Sequence, residues 1–186
     1  DGTYGSDGYV VYGLLAADGE YSNPYDASSV YADARNLVDL PDYITDISTT
    51  NSRMWGGNGN FGQIEDPSNG NALTNTSTLT NTSYNATFTI TGEAAKVYQL
   101  VIIIADGDNQ KCTKVVTVTD VAGATAAPSF KFDSTPYVAY WVFDVEATAA
   151  GTVTVNVVTT GGNNSLVGFT FDFRERPAIH SLPMAR

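Results

Sequence analysis

Ala86–Gly92 reads "ATFTITG" and Lys96–Asp106 reads "KVYQLVIIIAD". In the first, Phe88 and Ile90 fall on one side and Thr87, Thr89 and Thr91 on the other, the two-residue period of a strand with one wet face. In the second, the apolar run "LVIIIA" from Leu100 to Ala105 has no polar face at all, so the strand is buried on both sides. A chain that needs both kinds of strand has a core between sheets, not a single sheet in water.

The rest of the chain repeats these two patterns. "GYVVYGLL", "PDYITDIST", "TKVVTVTDVAG", "PSFKFDS", "YVAYWVFDVEA", "GTVTVNVVTT" and "SLVGFTFDF" are rich in β-branched and aromatic residues. "DGDNQK", "AAGT" and "TGGNNS" are turn clusters between them. Residues 28–38 read as a short helix or turn with Leu37 and Val38 facing inward, and residues 51–85 read as mostly loop. Short strands with almost no helix predict an all-β antiparallel sandwich or jelly roll. A parallel α/β sheet is excluded, because no helix-length crossover separates the later strands. The expected organisation is one β-sandwich domain over 1–173 and an extended C-terminal tail over 174–186.

Composition limits the partners. With 9 Lys and Arg against 20 Asp and Glu, the formal charge is −11, which repels nucleic acid and anionic membranes. No apolar run has the length of a membrane span, so no membrane insertion is expected. The opening, without Met or an apolar leader, fits a mature secreted chain, and the expected location is extracellular or at the cell surface. Cys112 lies in an alternating strand and His180, the single histidine, lies far away in the tail, so a thiol–imidazole pair is not expected. No nucleophile motif, phosphate loop or metal-histidine pair is present, and the chain reads as a non-enzyme that needs no cofactor.

Four groups of residues are candidates for chemistry. Trp55, with Arg53, Asn58 and Asn60 in a glycine-rich stretch, is either a sugar platform or the anchor of a long loop; sugars stack their C–H face on an aromatic ring and give their hydroxyls to polar side chains. Asp106 and Asp108 in "DGDN" are either an ordinary turn or two oxygen ligands for a structural calcium ion. Asn75, Asn81, Asn85 and Asn163 each begin an N-x-Ser/Thr sequon, the first three within one polar stretch, and are expected to face solvent if glycosylated. Ile179, Leu182 and Met184 give the tail an apolar set between prolines, suited to docking on its own sandwich or on a neighbouring subunit.

The order of several motifs resembles that of β-sandwich modules in large secreted bacterial proteins of planctomycete type. The resemblance is carried by "GTYGSDGYVVYG", "LPDYITDIST", "YQLVIIIADGDNQ", "VTVTD" and "TGGNNSLVGFTFD". It implies a galactose-binding-like jelly roll, a fold that serves sugar binding, adhesion and surface architecture. Gly107 stands where such modules often carry Trp, and "RERPAIHSLPMAR" has no counterpart in them. The opening stretch then reads as strand entry, with Tyr4 and Tyr9 at a sheet edge and Asp7 without a partner. Two functions remain: an extracellular structural or adhesion subunit, a homo-oligomer or polymer built through its tail or sheet edges into a fibre or array; or a carbohydrate-binding module whose partner is a polysaccharide.

Overall fold

The computed structural model describes residues 4–12, 35–49, 52–55, 64–65, 72–73, 78–81, 85–106, 111–133, 137–161 and 164–175. Among them there is no helix, and every strand pairing is antiparallel. The strands are β1 (Gly8–Tyr12), β2 (Arg35–Asp39), β3 (Ile44–Thr49), β4 (Ser52–Trp55), β5 (Ile64–Glu65), β6 (Ala72–Leu73), β7 (Thr78–Asn81) and β8 (Asn85–Gly92). They continue with β9 (Val97–Asp106), β10 (Thr113–Asp120), β11 (Gly123–Ala126), β12 (Phe130–Lys131), β13 (Tyr137–Glu146), β14 (Thr152–Thr160), β15 (Asn164–Leu166) and β16 (Gly168–Phe173).

A five-stranded sheet in the order β13-β9-β16-β1-β2 faces a six-stranded sheet in the order β11-β10-β14-β8-β3, with β12 also on β10. From β8 onward the long strands alternate between the two: β8, β10 and β14 in one, β9, β13 and β16 in the other. That crossing back and forth is the jelly-roll arrangement expected from the sequence. The core is what the alternation demands: Leu100, Ile102 and Ile104 of β9 and Phe169 and Phe171 of β16 meet Phe88 and Ile90 of β8 and Val153, Val155 and Val157 of β14. The rings of Phe88 and Phe169 touch edge to face across the two sheets, centroids 5.6 Å apart.

Four expectations change. Residues 35–39 form a strand, not the helix or turn read there. In the β1–β2 ladder Val38 pairs with the core residue Val10, and Leu37 with Val11. Within residues 51–85 the described residues form four short strands, β4 to β7, where loop was read. The "GATA" stretch adds an unforeseen strand, β11, folded back on β10. Tyr9 is not at a sheet edge, since β1 lies between β16 and β2 of its own chain.

The opening stretch owes its glycines to the way it crosses the sheet. Gly5 has φ of +80°, and a Cβ there would press on the Thr170 Cβ at 3.0 Å. At Gly8 a Cβ would collide with the Asp39 carbonyl and the Pro41 ring. The segment before β1 is held by the last strand: Asp172 accepts from the Gly5 N–H at 2.8 Å, the Ser6 N–H at 2.6 Å and the Ser6 hydroxyl at 2.7 Å. Asp7, expected to lack a partner, returns the contact by accepting from the Phe173 N–H. It also faces the Tyr43 hydroxyl at 3.4 Å.

Candidate functional site

The outward face of the five-stranded sheet is built from residues that sequence distance hides. Register places Tyr140, Ile103 and Gly168 in one row across β13, β9 and β16. The next row is Val142, Val101, Thr170 and Tyr9, and the third is Asp144, Gln99 and Asp172. Segment 4–7 lies on this face, Gly5 over Thr170, and sends the Tyr4 ring across to β13. Tyr4 and Tyr140 stack with centroids 6.5 Å apart and planes 26° from parallel.

Tyr140 is 52% exposed, Val142 43% and Tyr4 38%, while Val101 and Ile103 beside them are buried. Two aromatic rings and an aliphatic side chain thus form a wet apolar surface with a firm floor. A polar row borders it: Gln99 Nε2 lies 3.5 Å from Asp144 Oδ1, and Arg174 Nε lies 3.5 Å from the same oxygen. These side chains are half-exposed or exposed and offer an amide, a carboxylate and a guanidinium. The floor holds one unsatisfied group, since the buried Thr170 hydroxyl has no hydrogen-bond partner. Tyr4, Gln99, Tyr140, Asp144 and Arg174 come from the segment before β1, from β9, from β13 and from the residues after β16. No motif links them; the pairing of β9 with β13 and β16, and the hold of Asp172 on Gly5 and Ser6, bring them together.

At the end of the same sheet Lys96 sits between two rings, 5.0 Å from the centre of Tyr43 and 4.7 Å from that of Phe173. It also pairs with Glu93 at 3.4 Å. Burial, followed by the negative charge of Asp7, pushes the Tyr43 phenol well above the ordinary tyrosine value. Burial, followed by Tyr43, does the same to Tyr98. Both phenols are therefore neutral packing groups, not acids or bases poised for neutral pH.

The residues singled out from the sequence are placed as follows. Arg53 and Trp55 lie on β4, in a strand instead of the expected loop, within a three-stranded sheet β15-β7-β4. In its ladders Arg53 pairs with Thr80 and Trp55 with Thr78, and the buried Leu166 of β15 pairs with Leu79. Asn58 and Asn60 lie outside the described residues. Asn81 ends β7 and pairs with Ser52 and Asn164 in the ladder. Asn85 opens β8 and is exposed, its side-chain oxygen accepting from Asn156 Nδ2 at 2.6 Å. These two sequons therefore begin on strands and not in a loop; Asn75 and Asn163 lie outside the described residues. Asp106 ends β9 and Asp108 lies outside the described residues, among which no group of acidic, histidine or cysteine side chains is arranged to hold a metal. Ile179, Leu182 and Met184 are likewise outside them. No helix among the described residues is long and apolar enough to cross a membrane.

No protein-family model matches the sequence, and no curated protein does. Solved structures with a similar arrangement include TmCBM61 in complex with β-1,4-galactotriose, at 11% identity and a TM-score of 0.39 over 69% of this chain and 88% of that one. Another is the carbohydrate-binding module CBM6cm-2 of Cellvibrio mixtus lichenase 5A in complex with cellotriose, at 9% identity and a TM-score of 0.38 over 69% of this chain and 91% of that one. A third is the enzymatically active domain of the bacteriophage CBA120 tailspike protein 4, at 14% identity and a TM-score of 0.34 over 70% of this chain and 19% of that one. At these identities and scores the likeness is one of fold at most, and function has to be argued from this chain's own surface.

Proposed function

We propose that the chain is a non-catalytic, extracellular carbohydrate-binding module that takes a neutral polysaccharide on the outward face of its five-stranded sheet. The carrying observation is the stacked, exposed Tyr4–Tyr140 pair beside the Asp144–Gln99–Arg174 row. Tyrosine faces complement the axial C–H surface of a pyranose, and a planar amide, carboxylate and guanidinium at the border suit vicinal hydroxyls. The formal charge of −11 disfavours acidic glycans. The absence of catalysis is supported by Asp172: it is the buried carboxylate of this face, and both its oxygens are engaged by Gly5 and Ser6.

A second candidate platform is Arg53 and Trp55, which lie on β4 of the three-stranded sheet. A structural or adhesive role, with assembly through the tail or the sheet edges, is the second reading; Ile179, Leu182 and Met184 of the tail lie outside the described residues.

The test is a panel of neutral plant, algal and bacterial polysaccharides, titrated against the native chain, Tyr140→Ala and Trp55→Ala. Loss of one stacking ring is expected to weaken binding about tenfold or more. Loss in Trp55→Ala alone would move the site to the three-stranded sheet. A native chain that binds none of the panel sinks the proposal.

A further inference from the structure

A further feature, separate from sugar binding, is one edge of the five-stranded sheet. β13 is its last strand and pairs all 10 of its residues with β9 without a shift in register. A sheet edge is a template for another strand, and proteins guard it by shortening, bulging or charging it. The other edges among the described strands carry such guards. β2 has 5 residues, begins and ends on Arg35 and Asp39, and shifts register against β1. β3 is irregular against β8 and exposes Asp46. β11 has 4 residues and β12 has 2.

Over residues 137–143, "YVAYWVF", β13 has none of these guards and holds neither a charge nor a proline. Its C-terminal end is closed by its own chain: the Glu146 N–H donates to Asp120 Oδ2 and the Glu146 carbonyl accepts from the Val121 N–H, both at 3.0 Å. The run is also symmetric about Tyr140. On the outward face, opposite Val101 and Ile103 of β9, Val138 and Val142 flank it at equal distance along the strand. A twofold contact demands such a pattern, because residue i meets j and j meets i.

We infer that β13 pairs antiparallel with β13 of a second copy of this chain, about a twofold axis at Tyr140. Val138 then lies opposite Val142 of the second copy, and on the inward side the small Ala139 lies opposite the large Trp141. Asp144 and Glu146 fall beyond the paired run, so no like charges face each other. The two Tyr140 residues share one face at the axis, with Cβ atoms about 5 Å apart. The Tyr4–Tyr140 stacks of the two copies thereby become one continuous row. A foreign strand would gain nothing from the symmetry, which favours self-pairing.

The experiment is sedimentation of the full chain over a range of concentration and salt, with no polysaccharide present, so its outcome is separate from that of the sugar panel. A dimer is expected that tightens as salt rises, because each copy carries a formal charge of −11 that salt screens. Tyr140→Lys sets two cations opposite each other at the axis and should weaken the dimer about tenfold or more. Val158→Lys, at an exposed position on β14 in the middle of the other sheet, should leave it unchanged. Cysteine variants read the register, since the native Cys112 is buried. Tyr140→Cys should oxidise to a disulfide-linked dimer, its Cα atoms standing about 5.5 Å apart. Asp144→Cys should not, because its copies lie about 27 Å apart along the strands. A native chain that stays monomeric, a dimer indifferent to Tyr140→Lys, or equal cross-linking of the two cysteine variants overturns the inference.

Discussion

The two sheets present opposite kinds of outward face. Across the six-stranded sheet, rows such as Thr117–Asn156–Thr87 and Thr119–Thr154–Thr89–Ser48 line the surface with hydroxyls and amides. Asn156 Nδ2 also donates to Thr87 Oγ1 at 3.0 Å, so these groups satisfy one another or meet water. The five-stranded sheet instead buries Tyr9, Val101 and Ile103 on its outward side and adds exposed Tyr140 and Val142. Its second apolar layer exists because segment 4–7 is drawn over β16 and held there by Asp172. Among the described residues one face is a layer of polar side chains on the sheet itself, whereas the other carries a further apolar layer outside it.

This contrast breaks most sharply at Asp172. Asp172→Ala leaves the Gly5 and Ser6 donors without their acceptor, and a loss of about 3 kcal/mol in urea unfolding is expected. An unchanged midpoint would mean that the segment is held some other way. Val101→Thr introduces a hydroxyl where the face is buried and should cost about 2 kcal/mol. The same change at Val115, on the hydroxyl-rich face, should stay within about 0.5 kcal/mol. Equal costs at the two positions would erase the distinction. Thr170→Val removes the unsatisfied hydroxyl and should raise stability by about 1 kcal/mol.

Rising pH tests the end of the same sheet. Burial raises the Tyr43 and Tyr98 phenols above their unfolded value, so the fold holds them neutral. The stability they contribute is fully present below about pH 10 and is lost as the pH climbs beyond it. The urea midpoint should therefore fall through the alkaline range, and less steeply in Tyr43→Phe/Tyr98→Phe. Parallel pH profiles would remove the phenols as the cause. The smallest effect expected is at Thr119→Ala on the exposed six-stranded face, within about 0.5 kcal/mol.

How legible each part was in the sequence depends on the range of the interactions that fix it. The alternation of β8 gave Phe88 and Ile90 to the core, and the apolar run of β9 required both its faces to be covered; both follow from local period alone. Residues 35–39 escaped because a five-residue strand next to a longer polar stretch lacks enough period to outweigh its helix-compatible composition. The binding surface escaped for a different reason. Tyr4 and Tyr140 have nothing in common along the chain, and their stacking depends on β13 pairing with β9 and on Asp172 holding Gly5. Trp55 could be found as a composition signal, but its place in a three-stranded sheet follows only from the pairing of β4 with β7.

The hydrogen bonds from Gly5 and Ser6 to Asp172 join residues 167 and 166 positions apart. β1, first of the described strands, joins β2 to the rest of its sheet by pairing with β16, the last of them. The five-stranded sheet therefore cannot close during synthesis until β16 is free to pair, and loop-closure entropy must be met before those contacts stabilise anything. Such a chain should refold slowly, over milliseconds to seconds. Until then it exposes Val101, Ile103 and the inward residues of β9, which makes the interval before closure the period of greatest risk of aggregation.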